Sequence, residues 1–367
     1  MPTEKIRVIH VIARFNIGGT ARYLSHLLPE LEQNNLEVLL VVGRVQSGEI
    51  EDSSLANLKI VRIEKLGRKI SFISDLISYF KIRKIVKDFK PDLVHSHTFK
   101  AGFLSRLMHF RIPKVHTFHG HLLTDPEFTK FRKIIIVRIE RFLSNFTKSL
   151  ITTGEKVALD LQAEGVGSPI QYISIPGQVR FLEAGSREKA RQRLNLRDEF
   201  TILWSARLVS VKNPKLLVEI AKLMPDCKFL MAGDGIELDS IRSNAPTNLK
   251  ILGFVDMREI LLAADIFLST SLNEGVPYSL MEAQSVGLPI IAVNCGAVSE
   301  LVRNGVDGYL VKPSAEDIAQ QIQILKEDNE ELAKIKRNID LKNKEISNNL
   351  DFAKKHINLY KSILGHA

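Results

Sequence analysis

The sequence predicts an α/β protein with two doubly wound, parallel-sheet domains. Strand-like apolar runs alternate with helical periodicity, a pattern typical of parallel sheets covered by helices. The alternation restarts near residue 201, and 367 residues exceed what one ordinary core accommodates. A composition of 45% apolar and 25% charged residues is typical of globular proteins. We therefore expect two domains, each with its own core.

Short apolar runs in the first half predict the strands of the first sheet. They are residues 6–12, 38–42, 59–63, 93–95, 114–118, 150–152 and 171–174. Apolar side chains at helical spacing mark two of the intervening helices. One carries Leu24, Leu27, Leu28 and Leu31, and the other carries Phe72, Ile73, Leu76, Ile77, Phe80 and Ile85.

The second half repeats this organisation. Its predicted strands are residues 201–204, 228–231, 250–252, 266–268 and 289–293, and the chain is helical and polar from about Ala315. Pro176 and Gly177 interrupt the periodicity between the two halves. We predict an N-terminal domain over 1–175, a C-terminal domain over 176–345, and a C-terminal helix over 346–367 that packs back on the first domain.

The net charge of +9 lies in the first half, because residues 176–367 contain equal numbers of basic and acidic side chains. Basic amphipathic segments cover residues 70–89 and 128–146, which suggests contact with an anionic membrane surface. The alternative is packing helices with solvated basic faces. Nucleic acid is not an expected partner, because no recognised binding motif accompanies the charge.

We expect a cytoplasmic protein, with peripheral contact at the inner face of the membrane. Cys227 and Cys295 lie in apolar runs, which suits buried thiols in a reducing compartment. The sequence starts without a signal-peptide pattern, and no later run reaches membrane-spanning length.

The segment from Glu274 to Glu282 combines two acidic side chains with apolar residues, a glycine and a proline. Gly275 permits close approach of a ligand, and Pro277 suits the start of a helix. The helix is expected to begin near Pro277, and eight positions at about 100° each place Glu282 roughly above the approach to Glu274, on one side of that helix. Both then reach one ligand, which we interpret as a nucleotide sugar. The alternative is two solvated glutamates.

Two loops that follow predicted strands carry groups suited to phosphate. Gly18 and Gly19 precede a helix, where backbone amides are available to an anion, although a Gly-Gly pair is also typical of a simple turn. Arg207 and Lys212 lie between a strand and a helix, where they suit binding of a diphosphate. The alternative is a pair of surface cations.

Histidines cluster after two predicted strands of the first half. His95 and His97 form one group, and His116, His119 and His121 form the other. We predict no metal site, because no thiolate or carboxylate ligand pattern accompanies these imidazoles. His119 is the candidate substrate-facing donor, because Gly120 permits close approach, whereas His95 and His116 suit core or surface positions.

Seven motifs in order make the sequence resemble glycosyltransferase family 4. They are the Gly18-Gly19 loop, Pro91 to His97, His116 to His121, Arg207 with Lys212, Gly233 to Gly235, Leu252 to Val255, and Glu274 to Glu282. The resemblance extends over nearly the whole chain. It implies the GT-B architecture, in which two Rossmann-like domains face an interdomain cleft, and a retaining hexosyltransferase that needs no metal or other cofactor.

The resemblance also implies roles for individual residues. Glu282 would hold the ribose hydroxyls, and Glu274, with the adjoining Gly275, Val276 and Pro277, would contact the donor sugar. Arg207 and Lys212 would bind the diphosphate, with Gly18 and Gly19 facing it from the other domain. Backbone near Gly253 and Phe254 would read the base, and His119 would touch the donor sugar near its reacting carbon.

The expected donor is a nucleotide-diphosphate sugar, with uridine diphosphate as the commonest nucleotide in similar proteins. The expected acceptor is a hydroxyl of a glycan or lipid-linked glycan in surface polysaccharide biosynthesis. Two alternatives stay open. One is a nucleotide-sugar epimerase on the same scaffold, and the other is an inactive partner subunit that binds nucleotide sugars.

Overall fold

The computed structural model describes residues 5–46, 49–108, 110–120, 129–179, 185–347 and 351–365. His121, named in a sequence motif above, and Phe128, within the second basic segment, lie outside these ranges. The chain divides into two compact units between Gln178 and Val179, and the residues from Asp351 onward return to the first unit.

The first unit is built on a seven-stranded sheet in which every neighbouring pair is parallel. Its strands are β1 (Arg7–Ile12), β2 (Glu37–Val42), β3 (Ile60–Arg62), β4 (Leu93–His97), β5 (Lys114–Phe118), β6 (Ser149–Thr152) and β7 (Tyr172–Ser174). Their order across the sheet is β3-β2-β1-β4-β5-β6-β7.

The second unit is built on a six-stranded parallel sheet. Its strands are β8 (Thr201–Ser205), β9 (Lys228–Ala232), β10 (Leu249–Gly253), β11 (Ile266–Ser269), β12 (Ile290–Val293) and β13 (Gly308–Val311). Their order is β10-β9-β8-β11-β12-β13.

Helices connect the strands and cover the sheets. Those of the first unit before the division are α1 (Gly19–Gln33), α2 (Phe72–Phe89), α3 (Phe99–Arg106), α4 (Lys130–Ser144) and α5 (Glu155–Ala163). The second unit contains α6 (Arg187–Arg193), α7 (Pro214–Leu223), α8 (Leu238–Asn244), α9 (Met257–Ala263), α10 (Tyr278–Ser285), α11 (Val298–Leu301), α12 (Ala315–Glu327) and α13 (Asn329–Ser347). The last helix, α14 (Phe352–Leu364), packs beside α1 in the first unit.

The strands are apolar on both faces because helices cover both sides of each sheet. On β8, Ile202 and Trp204 enter one core layer of the second unit, and Leu203 enters the other. Helix α1 buries Leu24, Leu27, Leu28 and Leu31 as its periodicity predicts. Within the described ranges, no helix combines the length and apolar content that spanning a bilayer requires.

The predicted fold class is confirmed, since both sheets are parallel and doubly wound. The sequence analysis missed β13, a four-residue edge strand that begins at a glycine. A run this short resembles a loop until it pairs with β12.

Candidate active site

Strand order reverses in the middle of the second sheet, between β8 and β11. The chain runs outward from β8 to β10, then returns to the far side of β8 and continues to β13. Ligands of open parallel sheets bind beyond the carboxyl ends of the strands at such a reversal. The loops that leave β8 and β11 carry Arg207, Lys212 and Glu274, so this sheet edge is the candidate donor site.

The loop after β8 is held close to the turn after β9. A Cβ on Gly233 would overlap the carbonyl oxygen of Ala206, and one on Gly235 would overlap that of Leu208. Only glycine permits this approach. Because the turn fixes the backbone on both sides of Arg207, this exposed residue has a defined position at the sheet edge.

A buried hydroxyl holds the backbone of Lys212. The indole Nε1 of Trp204 donates to Thr270 Oγ1 over 2.8 Å. That hydroxyl lies 2.9 Å from the carbonyl oxygens of both Lys212 and Asn213. Thr270 follows β11, so the two central loops of the sheet are joined directly below the candidate site.

Lys212 and Glu274 form an ion pair across those two loops, from Nζ to Oε1. Their side chains are only 19% and 11% exposed, respectively. The Glu274 backbone is fixed as well, because its carbonyl accepts from Ala297 N over 3.1 Å and a Cβ on Gly296 would overlap it. The two residues expected to bind diphosphate and sugar separately therefore form an ion pair with each other.

Glu282 lies on α10, but Glu274 does not. The helix begins at Tyr278, with Pro277 at its N-cap, which confirms the predicted helix start near Pro277. Glu274 precedes the helix and is fixed by its contacts with the loop after β12. Glu282 is half-buried at the fifth position of the helix.

The remaining donor-site candidates lie at two places in the second unit. Gly275 and Val276 are half-buried in the loop between Glu274 and α10. Gly253 ends β10 with φ +70°, and Phe254 is 47% exposed. Apart from its chain neighbours, no described residue lies within 4 Å of the place where a Gly253 Cβ would stand. Backbone at this edge is therefore open to a planar ligand.

The first sheet reverses its strand order between β1 and β4, and Gly18 and Gly19 stand in the loop after β1. Gly18 caps α1 with φ 155°, and the first turn of that helix contains no acidic residue. The loop is tied down by Ile17 N, which donates to the Ile50 carbonyl over 3.0 Å. These amides suit an anionic ligand.

His119 follows β5 and contacts a row of buried imidazoles. His97 Nδ1 lies 3.0 Å from His119 Nε2, and His97 Nε2 lies 2.9 Å from His10 Nδ1. Burial, followed by the nearby His356 ring, lowers the pKa of His10 and of His119 to about 3. These rings are therefore neutral at physiological pH.

Helix α14 completes this histidine cluster. His356 Nδ1 donates to the Phe352 carbonyl over 2.9 Å, so its Nε2 accepts from the Tyr23 hydroxyl at 2.8 Å. Tyr360 OH lies 2.6 Å from His95 Nδ1. Burial is the main cause that lowers the pKa of His356 to about 4. The last helix is thus attached to the first sheet by hydrogen bonds among neutral rings.

Among the described residues, one group of side chains is close enough together to be considered as a metal site. His10, His95 and His97 bring ring nitrogens within 4.8 Å of one another. Both nitrogens of His95 and both of His97 already make hydrogen bonds, and His10 Nε2 alone lacks a partner. This donor set would have to give up existing bonds to hold an ion. His116 lies apart from it and contacts Ser96.

Comparisons with known proteins now identify the family. The model for Glycosyltransferase Family 4 matches residues 17–174, and that for Glycosyl transferases group 1 matches residues 186–341. The chain is 31% identical over 330 residues to UDP-Gal:alpha-D-GlcNAc-diphosphoundecaprenol alpha-1,3-galactosyltransferase of Escherichia coli, covering 84% of each chain. The chain belongs to glycosyltransferase family 4.

Two further comparisons agree with this family 4 assignment. The chain is 26% identical over 326 residues to N,N'-diacetylbacillosaminyl-diphospho-undecaprenol alpha-1,3-N-acetylgalactosaminyltransferase of Campylobacter jejuni, covering 84% of this chain and 86% of that one. Sucrose-phosphate synthase from Thermosynechococcus elongatus matches with a TM-score of 0.86 at 18% identity, over 99% of this chain and 100% of that chain. The family 4 protein is thus a glycosyltransferase with the GT-B fold.

The sequence analysis missed the cluster residues His10, Tyr23, His356 and Tyr360. A signal for two of them was present, since His356 and Tyr360 are four positions apart on one face of a helix. His10 interrupts an apolar strand, which marks a buried polar group that needs a partner. The partners themselves come from distant parts of the chain, so spacing alone does not identify them.

We predict that acid destabilises the first unit selectively. Its buried histidines have folded pKa values below the ordinary 6.5, so the unfolded chain binds protons first. Stability is then full above about pH 6.5 and falls as the pH drops toward 4, by about 2 kcal/mol per such histidine between pH 7 and 5. Residues 179–350 contain no histidine.

Urea unfolding at pH 7.5 and pH 5.0 measures this difference. Trp204, the only tryptophan, reports on the second unit by fluorescence, while circular dichroism reports on both units. We expect the circular dichroism midpoint to fall more than the fluorescence midpoint, and less so in His356→Gln. Equal shifts of both midpoints would contradict the assignment.

Proposed function

We propose that this glycosyltransferase moves a hexose from a UDP-sugar to a hydroxyl of a lipid-linked glycan, with retention of the anomeric configuration and without a metal ion. The observation that carries the proposal is the Lys212–Glu274 pair at the strand-order reversal of the second sheet. The Escherichia coli relative is named for a UDP-Gal donor and a diphosphoundecaprenol-linked acceptor, which supports both substrate classes.

The donor diphosphate would replace Glu274 as the partner of Lys212. A diphosphate is a stronger anionic partner than one carboxylate, and Arg207 adds a cation on the same loop. Glu274 is then released to accept hydrogen bonds from the sugar hydroxyls. This exchange leaves neither Lys212 nor Glu274 as an unpaired buried charge, because Lys212 gains the diphosphate and Glu274 gains the sugar hydroxyls.

Transfer would break the bond between the anomeric carbon and the diphosphate oxygen while the acceptor oxygen bonds to the same face of the sugar. The acceptor proton passes to the departing phosphate oxygen, so no covalent enzyme intermediate is needed. Negative charge grows on the departing diphosphate, and the fixed cations Lys212 and Arg207 stabilise it most in the transition state.

The other candidates retain the roles that the family resemblance implies. Glu282 holds the ribose hydroxyls, and open backbone at Gly253 and Phe254 receives the base. His119 touches the donor sugar, and Gly18 and Gly19 offer backbone amides to an anionic group.

Product analysis tests this proposal. Purified protein is incubated with a panel of UDP-hexoses and a polyprenyl-diphosphate N-acetylhexosamine, and the product is examined by mass spectrometry and NMR. We expect one added hexose with the donor's anomeric configuration. A changed donor without acceptor would indicate an epimerase, and donor binding without any turnover would indicate an inactive subunit.

We also propose that the first unit docks on anionic lipid through α2 and α4. Both helices join α3 by ion pairs, Asp75 with Lys100 at 2.5 Å and Glu140 with Arg106 at 2.7 Å, so they cover the same face of the sheet. Their outward faces expose apolar side chains at helical spacing, namely Phe72, Ile73, Leu76, Ile77 and Phe80 on α2 and Phe131, Ile134, Ile135 and Phe142 on α4.

Exposed cations lie on the same two helices. They are Lys81, Arg83, Lys84 and Lys87 on α2, and Lys130, Arg132, Arg138 and Arg141 on α4. Apolar side chains that enter the interface beside cations that meet lipid phosphate are the features of a peripheral membrane surface. A lipid-linked acceptor requires such contact, since its glycan stays near the bilayer.

Sedimentation with vesicles tests this surface. We expect binding to vesicles containing phosphatidylglycerol at low salt, release at high salt, and weak binding to phosphatidylcholine alone. Phe72→Ser with Ile73→Ser should lower the partition coefficient by about a hundredfold or more, because burial of each of these two side chains contributes about 1.5–3 kcal/mol. Leu341→Ser, an exposed apolar residue on α13, is the matched control. Equal loss in both proteins would overturn the assignment.

A further inference from the structure

Three imidazole rings of the first unit form one continuous row. His10 stands on β1, His97 ends β4, and His119 follows β5. The two links are His10 Nδ1 to His97 Nε2 at 2.9 Å and His97 Nδ1 to His119 Nε2 at 3.0 Å. His97 therefore uses both ring nitrogens within the row.

Proton counting gives this row a direction. Each link between neutral rings holds one proton, and a neutral imidazole has only one N–H. His97 must donate at one nitrogen and accept at the other. Either every ring donates toward His119, which then carries its proton on Nδ1, or every ring donates toward His10.

The buried end of the row selects between these directions. His10 Nε2 is buried and has no partner among the described residues. If the rings donated toward His10, this nitrogen would carry an unpaired buried N–H, whereas the opposite direction leaves an unpaired acceptor. Among buried backbone groups, orphaned N–H donors are rarer than under-satisfied acceptors, and we apply the same preference to this ring. The row therefore donates toward His119.

The outer end of the row is available to a ligand. His119 is half-buried, and its Nδ1 bonds to none of the residues that the structure describes. The ring is held edge to face against Tyr23, at 4.8 Å between centroids and 87° between planes. Burial and the neighbouring His356 ring lower the pKa of His119 to about 3, so it stays neutral at pH 7.

We propose that His97 is a positioning residue that fixes His119 as its Nδ1–H tautomer, so that His119 donates a hydrogen bond to a sugar hydroxyl and does not act as a base. The hydroxyl rests on the proposed function, but the tautomer does not. A fixed donor suits a reaction in which the departing phosphate, and not the protein, receives the acceptor proton.

Nitrogen-15 NMR of the histidine-labelled full-length protein reads the tautomer directly. Long-range proton–nitrogen correlations at pH 7 distinguish protonated from bare ring nitrogens. We expect protonated Nδ1 and bare Nε2 in both His97 and His119. A protonated Nε2 in His119, or exchange between the two tautomers, would overturn the proposal without any variant.

Two buried-imidazole variants separate positioning from packing. His97→Leu removes the partner of His119, and we expect mixed His119 tautomers and a fall in kcat/KM for transfer of about tenfold, the equivalent of one hydrogen bond. His10→Leu removes a comparable ring but leaves the His97–His119 link in place. It should retain the Nδ1–H signal even if stability falls.

The conservative variant His97→Asn provides the rescue, because its amide takes the place of Nδ1 and can donate to His119. We expect recovery of both the tautomer and the rate relative to His97→Leu. Equal tautomer spectra and rates in His97→Leu and His10→Leu would show a packing role only. Absence of sugar transfer by a wild-type protein with the expected tautomer would instead count against the proposed function.

Discussion

A reversal of strand order in an all-parallel sheet determines where each unit can bind a ligand. Between β8 and β11, and again between β1 and β4, adjacent strands send their following loops to opposite sides of the sheet. The crevice between these two loops is bordered by strand ends, helix starts and their backbone amides. The candidate site residues stand on these loops, with Lys212 and Glu274 in one unit and Gly18 in the other.

Both units contain shielded ion pairs, such as Arg106–Glu140 in the first, but only the first unit adds a network of neutral histidines. The second unit pairs full charges, with Lys212 against Glu274 at a shielded edge. The first unit contains all ten histidines, and burial keeps its interior rings neutral while their hydrogen bonds reach α14. A neutral network avoids the desolvation of buried ions but makes the first unit sensitive to acid.

Local sequence pattern was sufficient to predict most strands, the start of α10 and the parallel architecture. Apolar runs and Pro277 influence the backbone within a few residues of their own position. Partner choice was not predictable in this way. Lys212 meets Glu274 across 62 positions, and His95 meets Tyr360 across 265, so only the folded sheet brings them together. The position of Glu274 likewise depends on its contacts with the loop after β12, which helical spacing does not predict.

We propose that the fixed cation of Lys212 stabilises the departing diphosphate in place of a metal ion. The direct measurement is kcat/KM for sugar transfer in EDTA and in Mg²⁺ by wild type, Lys212→Ala and Lys215→Ala, an exposed control at the start of α7. The account predicts unchanged rates in EDTA for wild type and the control, and a loss of at least about tenfold for Lys212→Ala in either condition. Abolition of wild-type transfer by EDTA and its recovery in Mg²⁺, with the two variants equal, would contradict it.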